Sequence, residues 1–381
     1  MNIIGLNNKN SGCGYHRVII PLACMPGIKP YATNIITEDK IEAEPGKPWD
    51  IMLYNRICSY DNNWDEFRRL MNCKVVLDLD DYWILPPNHI NYQLYEDSKP
   101  RIENNIRNAD MVTVTNKELY DKVYPLNNNV HIFENGIPFG MDQYNDSRRE
   151  DDRVRIFWCG SVTHEQDIKI LRNPIQKLKI HADKIKMVLG GWQDSVFAKE
   201  QYAKKEINYE ALAGAIHTHE IWQRMFSSFT AGGTLPYAKL HGTGPNNYMQ
   251  MYENADIMVI PLEDSQWHAC KSNLKVLEAA SKRIPCIVSN VLPYSNDKDA
   301  PVFWVNSQKD WFSHLNYLIL NPQARIDAGN KLYEWAFAKY NIKDINQRRR
   351  AAFENLCSAP THSRLLPSDI RDGELSPAYS E

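Results

Sequence analysis

The chain predicts an α/β protein of two halves, each a parallel sheet layered with helices, facing one another across a cleft. Three observations carry that expectation. Short apolar runs alternate with longer helical or polar spacers along the 381 residues, the pattern of βα layers. The runs fall into two similar groups, separated by a charged, aperiodic stretch from Tyr144 to Arg153 that reads as an interdomain linker. Several runs end in glycines or carboxylates, at the strand ends where open α/β sheets bind ligands.

In the first half the predicted strands are Ile3–Leu6, Ile51–Tyr54, Val75–Leu77, Met111–Val114 and Val130–Phe133. In the second they are Ile156–Trp158, Met187–Leu189, Ile257–Ile260, Cys286–Val288 and Val302–Val305. Each is a short apolar run too brief for a helix and bounded by polar or turn residues. From Gln308 to about Leu356 the spacing of Trp311, Phe312, Leu315 and Leu318, then Leu332, Trp335 and Ala336, is helical. The stretch from Ser358 onward, with Pro360, Pro367 and Pro377, has no period and reads as an extended tail.

Composition narrows the function classes. With 43% hydrophobic and 24% charged residues the chain is globular, and a net charge of −3 gives no global attraction to nucleic acid or anionic membrane. The eight cysteines form no C-x-x-C pair, which suits buried free thiols in a reducing compartment. No apolar run approaches the roughly 20 residues needed to cross a bilayer. Met1 leads into a strand with no signal-peptide pattern, so a cytoplasmic protein is expected.

The most informative stretch runs from Trp267 to Asn290. It reads as a polar loop (His268, Lys271, Ser272, Asn273), a helix whose Leu274, Leu277 and Ala280 share a face, and a strand after Pro285. Ser272 or Asn273 can cap that helix. A helix opening with Lys-Ser-Asn offers free N–H groups, a hydroxyl, an amide and the ammonium groups of Lys271 and Lys275, which suits a diphosphate. Glu278, further in, can accept hydrogen bonds from sugar hydroxyls. This stretch resembles the donor segment of group 1 (family 4) glycosyltransferases, retaining enzymes of the GT-B fold, in which two Rossmann-like domains face across a cleft. Glu278 matches the second glutamate of that family's loop-helix, Cys270 stands where the first would be, and Arg283 stands where a glycine usually ends the helix. A left-handed residue other than Gly there costs about 1 kcal/mol.

Other constellations fall at strand ends. Gly12-Cys13-Gly14-Tyr15-His16-Arg17 follows the first strand; its glycines let backbone approach a ligand, and Arg17 can reach a phosphate or acceptor anion. A plain turn before a helix is the alternative, and the resemblance implies a glycine-rich loop facing the donor diphosphate and acceptor. Asp78-Leu79-Asp80-Asp81-Tyr82-Trp83 reads as a divalent metal site, as a set of acceptors for sugar hydroxyls, or as a helix cap, with His89 downstream. Gly160-Ser161-Val162-Thr163-His164 follows the second half's first strand and presents backbone and hydroxyl donors to a phosphate. Gly190-Gly191-Trp192 ends the next strand and can flank a nucleotide base, or is a simple turn with a core Trp. The Thr163-His164 pair, the Asp78-x-Asp80-Asp81 run and the Gly-x-Gly-Tyr-His-Arg start are similar to a subset of these enzymes in phage genomes. Arg348-Arg349-Arg350 is read as a solvated helix surface, or as a phosphate contact if the acceptor is DNA.

The resemblance implies a first Rossmann-like domain over 1–147 on the acceptor side, rejoined by a helix over 340–357. A second over 154–339 takes the nucleotide sugar, and 358–381 is the tail. It implies transfer of a hexose or pentose from a UDP- or GDP-sugar to an acceptor hydroxyl, with retention and with no metal or other cofactor required. Lys271, Glu278, Asp80 and Asp81 are the expected catalytic residues. Donor contacts are expected from Gly12, Gly14, Arg17, Gly160, Ser161, Thr163, His164, Gly191, His268, Lys271, Ser272, Asn273, Leu274, Lys275 and Glu278. Acceptor contacts are expected from Tyr15, His16, Tyr82, Trp83 and His89. The acceptor is left open between a hydroxymethylated pyrimidine in phage DNA and a glycan, lipid or protein, and a non-catalytic nucleotide-sugar-binding relative is the alternative.

Overall fold

The computed structural model describes residues 1–6, 12–25 and 49–358. The expected tail over 358–381 lies outside them apart from Ser358, as do Asn10 and Ser11 at the start of the glycine loop.

Two parallel sheets carry the molecule. The first contains β1 (Ile3–Leu6), β2 (Ile51–Asn55), β3 (Lys74–Leu79), β4 (Met111–Val114) and β5 (Val130–Ile132), in that spatial order. Every neighbouring pair is parallel, with Ile3 opposite Ile51, Met52 opposite Val75 and Val76 opposite Met111. Because both faces of a parallel sheet are covered, its strands are apolar throughout rather than alternating, and β1, β4 and nearly all of β2 and β3 are buried.

The second sheet contains β6 (Val154–Cys159), β7 (Ile185–Trp192), β8 (Tyr237–His241), β9 (Ile257–Ile260), β10 (Cys286–Ser289) and β11 (Phe303–Val305). Its order is β11-β10-β9-β6-β7-β8, again all parallel. The winding reverses between β6 and β9, and such a switch point opens a crevice beyond the strand ends where ligands sit. The residues after β6 begin Gly160-Ser161; those after β9 lead into the loop that carries Lys271.

All ten sequence-predicted strands are present to within a few residues. β8 is an eleventh that the apolar pattern does not reveal: Tyr-Ala-Lys-Leu-His at the sheet's edge is only half-buried and has no apolar alternation. No helix or strand lies between Tyr144 and Val154, where the linker is expected.

The C-terminal helices are Gln308–Leu320, Pro322–Tyr340 and Ile342–Ser358. At Asn341 the chain makes a bridge to Ile137, whose N–H donates to the Tyr340 carbonyl and whose carbonyl accepts from Ile342. The last helix then packs Phe353 and Leu356 into the cluster of Ile3, Val18, Leu22, Ile51 and Met111 on the first sheet. Its arginine triplet is not a free basic face, since Arg349 is buried and Arg348 pairs with Glu134 at 2.6 Å. No helix among the described residues is long and apolar enough to cross a membrane.

Candidate active site

Between the two sheets lies a cleft of 840 Å³. The first half contributes Gly12, Cys13, His16, Arg17, Asp80, Asp81 and Asn135; the second contributes Ser161, His164, Gln193, Gly242 to Pro245, Tyr248, Lys271, Ser272, Leu274, Lys275, Glu278 and Tyr294. The turn at Lys271 therefore opens into the crevice.

That turn is built on the Leu274–Ser281 helix, which buries Val276, Leu277, Ala279 and Ala280. The helix ends with Arg283 at φ 53, the left-handed position where a glycine is usual. It is braced from behind at Gly329, where an added Cβ would stand 2.0 Å from the Arg283 carbonyl oxygen. Opposite, the first half holds the turn directly. The Asn116 amide donates to the carbonyls of Lys271 at 2.6 Å and Ala269 at 3.3 Å, and the Asn135 amide donates to Ser272 Oγ at 2.8 Å. Lys271 Nζ lies 3.4 Å from Asp81 and 4.1 Å from the centre of the Trp267 ring. Lys275 forms neither an ion pair nor a hydrogen bond among the described residues. Burial pushes its ammonium below the ordinary lysine range, against the pull of Glu278.

Glu278 sits deep in the cleft and accepts from the Tyr248 hydroxyl at 2.6 Å and from the Tyr252 hydroxyl. Burial raises its carboxyl, while the two tyrosines hold it down. Tyr248 in turn meets His16 Nε2 at 2.8 Å and the Tyr144 hydroxyl at 3.1 Å, so a buried polar chain crosses from one half to the other. Burial, with the charge of Arg17, drives the His16 imidazole down to about 3, so the ring is neutral and donates from Nε2.

The first-half wall is acidic. Asp80 accepts from Asn55 at 3.2 Å and Arg56 at 3.0 Å, and Asp81 lies 3.7 Å from Arg56. Burial alone would raise the Asp80 carboxyl; Arg56, with hydrogen bonds from Cys13 and Asn55, overrides it and keeps the group ionised. The ligand atoms of Cys13, Asp80 and Asp81 come within 4.8 Å of one another, but Arg56 and Lys271 already answer their charge. Asp80 and Asp81 are not helix caps, because no helix starts between Asp81 and Tyr92.

Several expected contacts are redirected. Arg17 is not a phosphate ligand: it is 1% exposed, and its guanidinium is consumed by Asp78 at 2.8 and 2.9 Å, the Phe133 carbonyl and Asn135. Asn273 neither caps its helix nor faces the cleft, since its amide donates to Asp297 on the far side at 2.7 Å. Trp83 is a core residue packed with Leu79 and Ile102, and Tyr82 packs on it outside the cleft. Tyr15 is buried and accepts from Gln143, and Gly14 is buried in the helical run that holds it. Thr163 does not open a helix as its cap; its hydroxyl meets Ser161 Oγ at 2.6 Å. His268 is folded into its own loop, 3.0 Å from Ser265 Oγ, and His89 packs against Trp267. Gly160 and Gly191 act through backbone approach, since Gly191 has φ +92 and an added Cβ there would meet the Gly160 carbonyl oxygen at 2.3 Å.

Sequence reading passed over Tyr248, Asn135, Arg56 and Gln193. Gly242-Thr243-Gly244-Pro245 follows β8, whose sequence has no apolar signature, so its place at a strand end is not legible from the residues.

Two parallel sheets meeting at such a cleft, with the last helix returning to the first, make this a GT-B protein. No protein-family model matches the sequence, and no curated protein matches it significantly. Solved structures do match the fold. Sucrose-phosphate synthase from Thermosynechococcus elongatus aligns with a TM-score of 0.64 at 12% identity, over 94% of this chain and 100% of that one. Anabaena HepE in complex with UDP aligns at 0.56 and 11% identity, over 93% and 100%. TarM aligns at 0.52 and 12% identity over 80% of this chain, which spans about half, 54%, of TarM.

Proposed function

We propose that the chain is a glycosyltransferase that moves a sugar from a nucleoside-diphosphate sugar to an acceptor hydroxyl, with retention of configuration. The observation that carries this reading is the Lys271–Lys275 turn, whose helix opening and uncommitted Lys275 ammonium face an interlobe crevice at a switch point. Similar structures were determined with UDP, as for HepE and TarM, or with UDP-2-fluoro glucose, as for trehalose-6-phosphate synthase; this supports a nucleoside diphosphate donor, with UDP the first to test.

In this reading the diphosphate lies over the turn, touched by Ser272, Lys271, Lys275 and, from the segment after β6 in the same half, Ser161 and His164. As the sugar carbon leaves the diphosphate oxygen, negative charge grows where these donors already point, and fixed charge of this kind is commonly the largest catalytic contribution. The acceptor hydroxyl forms the new bond to that carbon and passes its proton to the departing diphosphate oxygen. Glu278, whose oxygens each hold one tyrosine hydroxyl and retain lone pairs, anchors the ribose. Gly12, Gly14, Gly160, Gly191 and Leu274 shape the pocket rather than donate to it. No protein nucleophile and no metal is invoked.

The acceptor belongs to the first lobe, residues 1–147 with the 340–357 helix, and the donor to residues 154–339. Asp80 and Asp81 line the acceptor wall as hydrogen-bond acceptors and suit a polyhydroxylated acceptor, so a glycan-type acceptor is favoured over DNA. The test is a thermal-shift screen of UDP, GDP and their sugars, followed by donor turnover. A nucleoside diphosphate should raise the melting temperature and its sugar should be slowly hydrolysed or transferred. Binding without turnover of any sugar would leave a non-catalytic binding protein, and no binding at all would end the proposal.

A further inference from the structure

Behind the phosphate-facing wall lies a buried charge that the proposed mechanism does not use. Asp167, in the Glu165–Lys169 helix, is 1% exposed. One of its oxygens lies 2.6 Å from His164 Nδ1 and 3.7 Å from His268 Nε2; the other accepts from the Glu263 N–H at 2.8 Å. A carboxylate at 2.6 Å requires a proton between it and Nδ1. His164 Nε2 has no hydrogen-bond partner among the described residues, and the ring lines the cleft. His268 Nε2 is buried and makes no hydrogen bond among the described residues.

We propose that Asp167 is a positioning residue of the donor site: by holding His164 through Nδ1 it aims Nε2 at the diphosphate and lets the ring take a proton from solvent as the anion binds. This rests on the reading of the cleft as a nucleoside-diphosphate site. The pair sits among basic groups. Lys271 and His268 approach from the 263–273 loop, Lys275 from the following helix and His89 from the first half; Glu263 and the Tyr294 hydroxyl also face Asp167. Glu165, next to His164, is taken up by Arg224 and Lys169. In the empty cleft burial and the two lysines keep His164 neutral, and burial raises the Asp167 carboxyl against His268. An arriving diphosphate reverses that balance: its charge offsets the lysines, and the imidazolium forms between two anions, with Asp167 on one side and phosphate on the other. A histidine held in this way donates to the diphosphate only when protonated, so donor affinity falls as pH rises.

The test uses the whole chain with UDP as the probe. Nitrogen-15 NMR of the imidazole rings, assigned with His164→Gln, should show the Nδ1–H tautomer for His164 without ligand and the imidazolium with UDP. Calorimetry in two buffers of different ionisation enthalpy should show proton uptake on binding. Asp167→Asn and His164→Gln should each lose that uptake and bind UDP about 10–100-fold more weakly, the range of one charge-assisted hydrogen bond. His164→Gln leaves the buried carboxylate in place, so it still reports if Asp167→Asn does not fold. An Nε2–H tautomer in the wild type, or undiminished proton uptake in Asp167→Asn, overturns the assignment. If His164 shows Nδ1–H but no nucleoside diphosphate binds the wild type, the donor reading has failed and the coupling falls with it.

Discussion

Replacing Lys275 with Met separates the donor site from the fold. The ammonium stands on the cleft wall, and burial depresses its protonation. For a lysine whose folded value is lowered, the contribution to stability is complete only above its unfolded range and is lost as pH falls through the folded one. At neutral pH the empty protein therefore carries a penalty, and Lys275→Met, close in shape, should melt no lower than wild type. With ligand the order reverses. A charge-assisted hydrogen bond to phosphate is worth about 1.5–3 kcal/mol, or roughly a 10- to 150-fold change in Kd. UDP at about 100 times its Kd stabilises the wild type by ~2.7 kcal/mol; a hundredfold weaker site at the same concentration keeps ~0.4 kcal/mol. At about 2–4 °C per kcal/mol for a domain of this size, a shift of roughly 5–11 °C shrinks to about 1–2 °C. Differential scanning fluorimetry with UDP reads both effects. A variant that keeps the full ligand shift would refute the placement of the diphosphate over this turn.

The remaining expectations concern the walls of the cleft. Arg17→Met leaves Asp78 as a buried charge without its main partner, and urea denaturation should show a loss of about 3–5 kcal/mol whether or not ligand is present. Tyr252→Phe removes a donor that stabilises the Glu278 carboxylate, so that group protonates at higher pH. Its kcat/KM profile for the donor should have an acid limb displaced upward, with the neutral plateau retained. Gly329→Ala forces a methyl into the Arg283 carbonyl and should lower the melting temperature by displacing the Pro322–Tyr340 helix from the end of the donor helix. Activity should survive EDTA, because Arg56 and Lys271 already balance Asp80 and Asp81; loss of activity restored by Mn²⁺ would reassign them as ligands.

Local signals were enough for the strands, because a buried parallel strand is apolar along its whole length and needs no partner to be recognised. They were enough for the donor helix too, since its apolar face, its Lys-Ser-Asn opening and Pro285 lie within one short window. They failed where a side chain is claimed by something distant. Arg17 has the chemistry of a phosphate ligand, but Asp78, 61 positions on, takes up its guanidinium in the cleft wall. Asn273 looks like a cap until Asp297 is placed behind it. Trp83 follows two carboxylates and looks exposed, yet the sheet face it meets is apolar. Arg56 reaches Asp80 from the end of β2 with φ 64, a conformation that a lone arginine does not advertise. None of residues 209–220 in the Tyr209–Phe229 helix is buried, so its first half lacks the one-sided periodicity by which a helix is read.

The donor turn depends on the opposite lobe for its shape. Its carbonyls are tied to Asn116, its hydroxyl to Asn135, and its ammonium to Asp81, while Asn135 is itself fixed by Arg17 on the buried Asp78. The helix opening proposed to face the diphosphate is thus held by first-lobe side chains as well as by its own helix. Any motion that parts the lobes breaks these bonds and releases the turn, and any ligand that grips the turn strengthens the closed arrangement in return. On the proposed donor reading, closure of the lobes would exclude water from the crevice and, in the same step, complete the donor contacts. Asn135→Ala separates the two functions: it leaves the acidic wall intact, removes the tie to Ser272, and should weaken UDP binding without altering the empty protein's pH dependence.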